Sequence, residues 1–229
     1  MIKNKLHHIK RGITLRNTVI LLTIIFIIIQ FVKTIQKYNY VMKNEPLLIK
    51  KSMIIQPHII PNKKLKKARD GRLTYTYSFW IFMKHVSGEE NWHINYYDDR
   101  NILRKGSNPV FYYNPENNVY KIGILTQLDD EIIETFEIKD ILFQKWNHFV
   151  ISLDNRNVDV FVNGYLHSSY LLKNVPILND SSLIVGSMQT KVNGLIDNMR
   201  YFNRNLTKSE VSRLYKIGHS VTNTWWLYP

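Results

Sequence analysis

From Thr18 to Val32 the chain runs TVILLTIIFIIIQFV, fifteen residues with no charge and no polar face. An amphipathic core helix carries its apolar residues on one stripe, so a segment apolar on every side predicts a helix immersed in lipid. Taken from Leu15 to Ile35 the segment would reach about 31 Å at ~1.5 Å per residue, the thickness of a bilayer core. Arg16 and Lys33 then fall near its ends, where long cationic side chains reach the headgroups. A basic stretch precedes the span, as in a signal peptide, but Lys33-Thr-Ile-Gln-Lys37 offers no small-residue cleavage site, which favours an uncleaved signal anchor.

Beyond Leu73 the pattern becomes short β-branched and aromatic runs with a period near two. The expected strands are 74–83, 110–113, 119–125, 132–138, 148–153, 158–162, 165–171, 182–186 and 198–202. Turn residues separate them, among them Asn114-Pro-Glu-Asn-Asn118, Asp154-Asn-Arg-Asn157 and the hairpin signal Asn163-Gly164. In 148–153, Phe149, Ile151 and Leu153 share one face; in 158–162 the three valines do. Many short strands without a long helical period predict an all-β, two-sheet antiparallel sandwich. One short helix is expected near the end, where Thr207-Lys-Ser-Glu210 forms a capping box and Gly218 a stop. Residues 36–72, with Pro46, Pro57, Pro61 and the basic run Asn62-Lys-Lys-Leu-Lys-Lys-Ala-Arg69, read as a stalk with little core of its own. The division is thus a basic tail (1–14), a span (15–35), a stalk (36–72), a sandwich (73–218) and an aromatic tail (219–229).

Charge sharpens this division. Residues 1–72 hold 16 basic and 2 acidic side chains, whereas 73–229 hold 15 and 16, so the formal +13 lies almost wholly at one end. A neutral main domain excludes a basic nucleic-acid-binding fold. With no cysteine, disulfides, thiolate metal sites and cysteine nucleophiles are absent. Five Lys/Arg lie ahead of the span and three just after it, which places the large domain on the non-cytosolic side. Sequons at Asn179 and Asn205 would then be open to glycosylation.

Several motifs recur in order: Tyr75-Thr-Tyr-Ser-Phe-Trp-Ile-Phe82, Gln144-Lys-Trp-Asn-His-Phe149, Val158-Asp-Val-Phe-Val-Asn-Gly164, Ile184-Val-Gly186 and Gly194-Leu-Ile-Asp-Asn-Met-Arg-Tyr-Phe202 leading to Thr207 and Glu210. This order resembles the laminin-G-like branch of the concanavalin A-like lectin/glucanase superfamily. The resemblance implies a jelly-roll sandwich and, in many members, one calcium ion held by Asp and Asn oxygens. Asp98 and Asp99, or Asp154 with Asn155, are the candidate contributors here. Similar domains occur in bacteria and in large DNA viruses, and the Ile-, Lys- and Asn-rich composition looks like an AT-rich genome. A structural component of a membrane-containing assembly, such as a virion, is therefore the alternative reading.

Glycoside hydrolysis by this superfamily needs two carboxylates on one strand face, and that motif is missing. Glu134 and Glu137, three apart, point to opposite faces of a strand. The expected function is non-enzymatic recognition of a glycan or partner protein by a membrane-anchored domain. A glycan needs aromatic faces with amides or carboxylates beside them, which Trp92, Tyr96, Tyr97, Tyr112 and Asn114 supply. Trp146 and His148 read as an aromatic plug with a hydrogen-bonded histidine.

Overall fold

Asn17–Gln36 forms one helix, α1, long and apolar enough to cross a membrane, with every described side chain exposed. Two of its three threonines turn their hydroxyls back onto the helix: Thr23 Oγ1 donates to the Ile20 carbonyl at 2.7 Å and Thr34 Oγ1 to that of Gln30 at 2.8 Å. These two hydroxyls are thereby satisfied within the helix, where an unpaired donor facing lipid would be costly. The computed structural model describes residues 17–36, 45–68, 71–84, 100–115, 117–127, 132–187, 189 and 192–219. It forms two units, Met1–Lys43 and Asn44–Pro229.

The second unit is a sandwich of two antiparallel sheets. Its strands are β1 (Leu47–Ile49), β2 (Met53–Ile54), β3 (His58–Ile60), β4 (Thr74–Met83), β5 (Arg100–Lys105), β6 (Val110–Asn114), β7 (Val119–Gln127), β8 (Ile132–Ile138), β9 (Trp146–Asp154), β10 (Asn157–Val162), β11 (Tyr165–Leu171), β12 (Leu183–Val185) and β13 (Gly194–Phe202), followed by helix α2 (Lys208–Ile217). The first sheet runs β1-β13-β4-β9-β10-β11, with β2 also on β13; the second runs β3-β12-β5-β6-β7-β8.

Alternation along the strands builds the core. Phe79 and Phe149 from the first sheet meet Phe111 and Tyr120 from the second, with ring centroids 5.0–6.1 Å apart in the contacts of Phe149. The inward residues Phe149, Ile151 and Leu153 are fully buried, as the period-two pattern requires. The other face of β9 is buried too, because α2 lies over it: Val150, Phe161, Phe202, Leu206 and Val211 form a second cluster. The capping box holds the start of α2, with Thr207 Oγ1 accepting from the Glu210 N–H and the Glu210 carboxylate from the Thr207 N–H. At the β10–β11 hairpin both Asn163 (φ 50°) and Gly164 (φ 84°) adopt positive φ, as a type I′ turn demands.

Two expectations need correction. The stalk is not bare linker: Leu47–Ile60 supplies three strands, and Ile49, Ile55, Ile60 and Leu65 are buried in the core. Strands of two or three residues are too short to show a period of their own. β5 is also absent from the expected set, since Arg100-Asn-Ile-Leu-Arg-Lys105 is half cationic, yet Ile102 and Leu103 are fully buried.

Candidate functional site

Alternation in the second sheet turns Phe111, Tyr113, Tyr120 and Ile122 inward and leaves Tyr112, Lys121 and Glu137 on its outer face. The register aligns Asn101, Tyr112, Lys121 and Glu137 in one row across β5, β6, β7 and β8. Lys121 Nζ stands 5.8 Å from the centre of the Tyr112 ring. Glu137 pairs with Lys139 at 3.0 Å, and that bond, with Lys121 contributing further, holds its carboxyl below the usual carboxylate range. An aromatic face flanked by amide, ammonium and carboxylate is the set of groups that hydroxyl-rich ligands require. Of these four, sequence reading singled out Tyr112 as a ligand contact; Asn101, Lys121 and Glu137 join it only through strand register.

The other expected residues are placed as follows. Asn114 is buried, and its Oδ1 accepts the Asn117 N–H at 3.0 Å, so its amide holds the β6–β7 turn. Asp154 accepts from Asn155 Nδ2 at 3.2 Å and from Asn205 Nδ2 at 3.1 Å, and Asn155 turns the chain with φ 54°. This turn brings one carboxylate whose two oxygens both already accept amide N–H bonds, a poor fit to calcium, which takes about six to eight oxygens. Among the described residues no three His, Asp or Glu side chains converge on a metal position. Trp92, Tyr96, Tyr97, Asp98 and Asp99 lie outside the described residues.

The acid and base candidates for chemistry are engaged elsewhere. Glu134 and Glu137 do lie on opposite faces of β8. Partial burial pushes the Glu134 carboxyl up, but the N–H groups of Lys173 and Asn174, at 2.9 and 3.1 Å, outweigh this and bring it below its ordinary value. This clasp, with Phe136 stacked on Tyr170 at 4.3 Å, ties β8 of one sheet to β11 of the other. Of the expected plug, His148 is buried and bonds to Ser78 Oγ through Nε2 at 2.9 Å, and burial pushes its imidazole down to about 3, but the ring beside it is Trp80; Trp146 is only half-buried and stacks on His219 at 4.4 Å.

At one end of the sandwich a cavity of about 30 Å³ opens between the sheets, lined by Asn62, Lys67, Tyr77, Lys105, Asn179 and Tyr201 among others. Lys105 Nζ donates to the Asn179 backbone carbonyl and, at 3.3 Å, to its Oδ1. Burial holds the Lys105 ammonium below the ordinary lysine value. Asn179 Nδ2 in turn donates to the Lys105 carbonyl at 2.8 Å. Sequence spacing offered no signal for this cluster, whose partners lie 74 positions apart.

A family model described as the concanavalin A-like lectin/glucanases superfamily matches residues 60–212. Among solved structures, the binding domain of botulinum neurotoxin serotype G superposes with a TM-score of 0.51 at 16% identity, covering 63% of this chain and 36% of that one. The binding domain of Paraclostridial Mosquitocidal Protein 1 gives 0.51 at 13% identity, covering 76% and 47%. The chain thus spans less than half of each. No curated protein matches it in sequence.

Proposed function

Because the chain belongs to the concanavalin A-like lectin/glucanase superfamily, we propose that its sandwich is a non-enzymatic recognition domain, anchored in a membrane by α1, that binds a saccharide through the outer face of the second sheet. The observation that carries this reading is the row Asn101–Tyr112–Lys121–Glu137, one aromatic ring among three hydrogen-bonding groups. Trp92, Tyr96 and Tyr97, which immediately precede β5 in sequence, add further stacking faces in this proposal. That these two solved structures are both binding domains supports recognition as the task. Sites on such folds carry unrelated activities, so the assignment rests on the row rather than on the fold.

The experiment is a glycan array probed with the full chain in detergent. Selective binding lost in Tyr112→Ala is the expected result, and its absence at high protein concentration would sink the saccharide and leave a protein partner. Anchoring is tested separately by alkaline carbonate extraction: recovery of the chain in the soluble fraction would remove the membrane from the account.

A further inference from the structure

The basic run that reads as a linker is fastened to the sandwich. Asn62–Lys64 makes a 3-10 turn, Leu65 is buried in the core, and Tyr201 Oη donates to the Lys66 carbonyl at 2.7 Å. Asn203 Nδ2 holds the Lys67 carbonyl at 3.3 Å. Lys63, Lys64, Lys66 and Lys67 are therefore displayed, exposed, on one fixed strap. Among the described residues Lys67 alone of the four has a carboxylate partner, Asp180 at 2.9 Å. A flexible linker would spread these like charges; fixing them side by side costs Coulomb energy that an anionic ligand would offset.

Behind the strap, Lys105 faces the cavity with neutral oxygens of Asn179 as its bonded acceptors. A cavity of about 30 Å³ has room for about one water-sized oxygen group, so it admits the tip of an anion and not a sugar ring. Ten residues, 37–46, separate α1 from β1, so a chain anchored by α1 keeps the strap at high effective concentration over a lipid surface. We propose that residues 62–67 with Lys105 form a docking site for the phosphate headgroups of an anionic membrane lipid. This rests on the membrane-anchored reading and is independent of the Tyr112 row.

The chain has no cysteine, so Ser181→Cys, at an exposed position beside Asp180, gives one labelling site for an environment-sensitive dye. The full chain is placed in nanodiscs of phosphatidylcholine alone or mixed with phosphatidylglycerol. A blue shift that grows with the phosphatidylglycerol fraction and collapses in high salt is expected. Removing Lys63, Lys64 and Lys66 together, by K63A, K64A and K66A, should weaken that response roughly five-fold per lysine. Those side chains are exposed, so the variant keeps the fold; Lys105→Met is the companion variant, and Tyr112→Ala should leave the response intact. Identical spectra in both discs overturn the proposal. So does an equal shift in phosphatidylcholine discs on adding inorganic phosphate, which marks a free-anion site, or polyglutamate, which marks an acidic protein partner. Failure of the chain to enter discs at all overturns the anchored reading and this proposal with it.

Discussion

Ser78 Oγ and His148 Nε2 stand 2.9 Å apart on the neighbouring strands β4 and β9, both buried, with Tyr215 of α2 stacked over Trp80 beside them. The pair is a polar tie inside a packed layer, and burial keeps its histidine neutral down to about pH 3. In the unfolded chain the same imidazole titrates near ~6.5. Below that pH the unfolded state takes up a proton that the fold refuses, so stability falls as pH drops from about 6.5 toward 3, by at most about 1.4 kcal/mol per unit. Urea unfolding at pH 7 and pH 5 should show this loss, and His148→Gln should flatten it. An equal pH slope in the variant would mean that other groups carry the dependence.

Gly186 has φ 75°, and a Cβ there would sit 2.6 Å from the Gln56 backbone carbon. Gly186→Ala combines a left-handed backbone with a clash against backbone, and should destabilise on the order of 3 kcal/mol. A thermal melt within a degree of the parent would show that residues 55–57 do not pack against the end of β12.

Truncation tests the same contact more broadly. A chain beginning at Leu73 lacks the buried Ile49, Ile55, Ile60 and Leu65 and should be insoluble, whereas one beginning at Asn44 should fold. Cooperative unfolding of the shorter chain would contradict the assignment of β1, β2 and β3 to the sheets.

At α2, the Arg204 guanidinium at 2.8 Å is the main cause that holds the Glu210 carboxyl down to about 2, so the capping box stays charged through ordinary acid conditions. Thr207→Ala removes the cap and should cost about 1 kcal/mol, read as roughly five-fold faster amide exchange across residues 208–217. Unchanged exchange would mean that packing of Val211 and Leu214 alone sets the helix.

The amino-acid order by itself determined whatever depends on near neighbours in the chain. The apolar run of α1, the alternation in β4 and β9, the Asn163-Gly164 hairpin and the Thr207–Glu210 box each signal within ten residues or so, because periodicity and turn chemistry are local. Tertiary structure decided what depends on register between distant strands. β1, β2 and β3 have no period to read and exist through their partners β13 and β12. Tyr112 gains Lys121 and Glu137 as neighbours through two antiparallel ladders, and Lys105 reaches Asn179 across 74 positions. The run from Asn62 to Lys67 reads as solvated linker by composition; Leu65 in the core and the Tyr201 hydroxyl on the Lys66 carbonyl make it a fixed basic surface, and those contacts exist only once both sheets have closed.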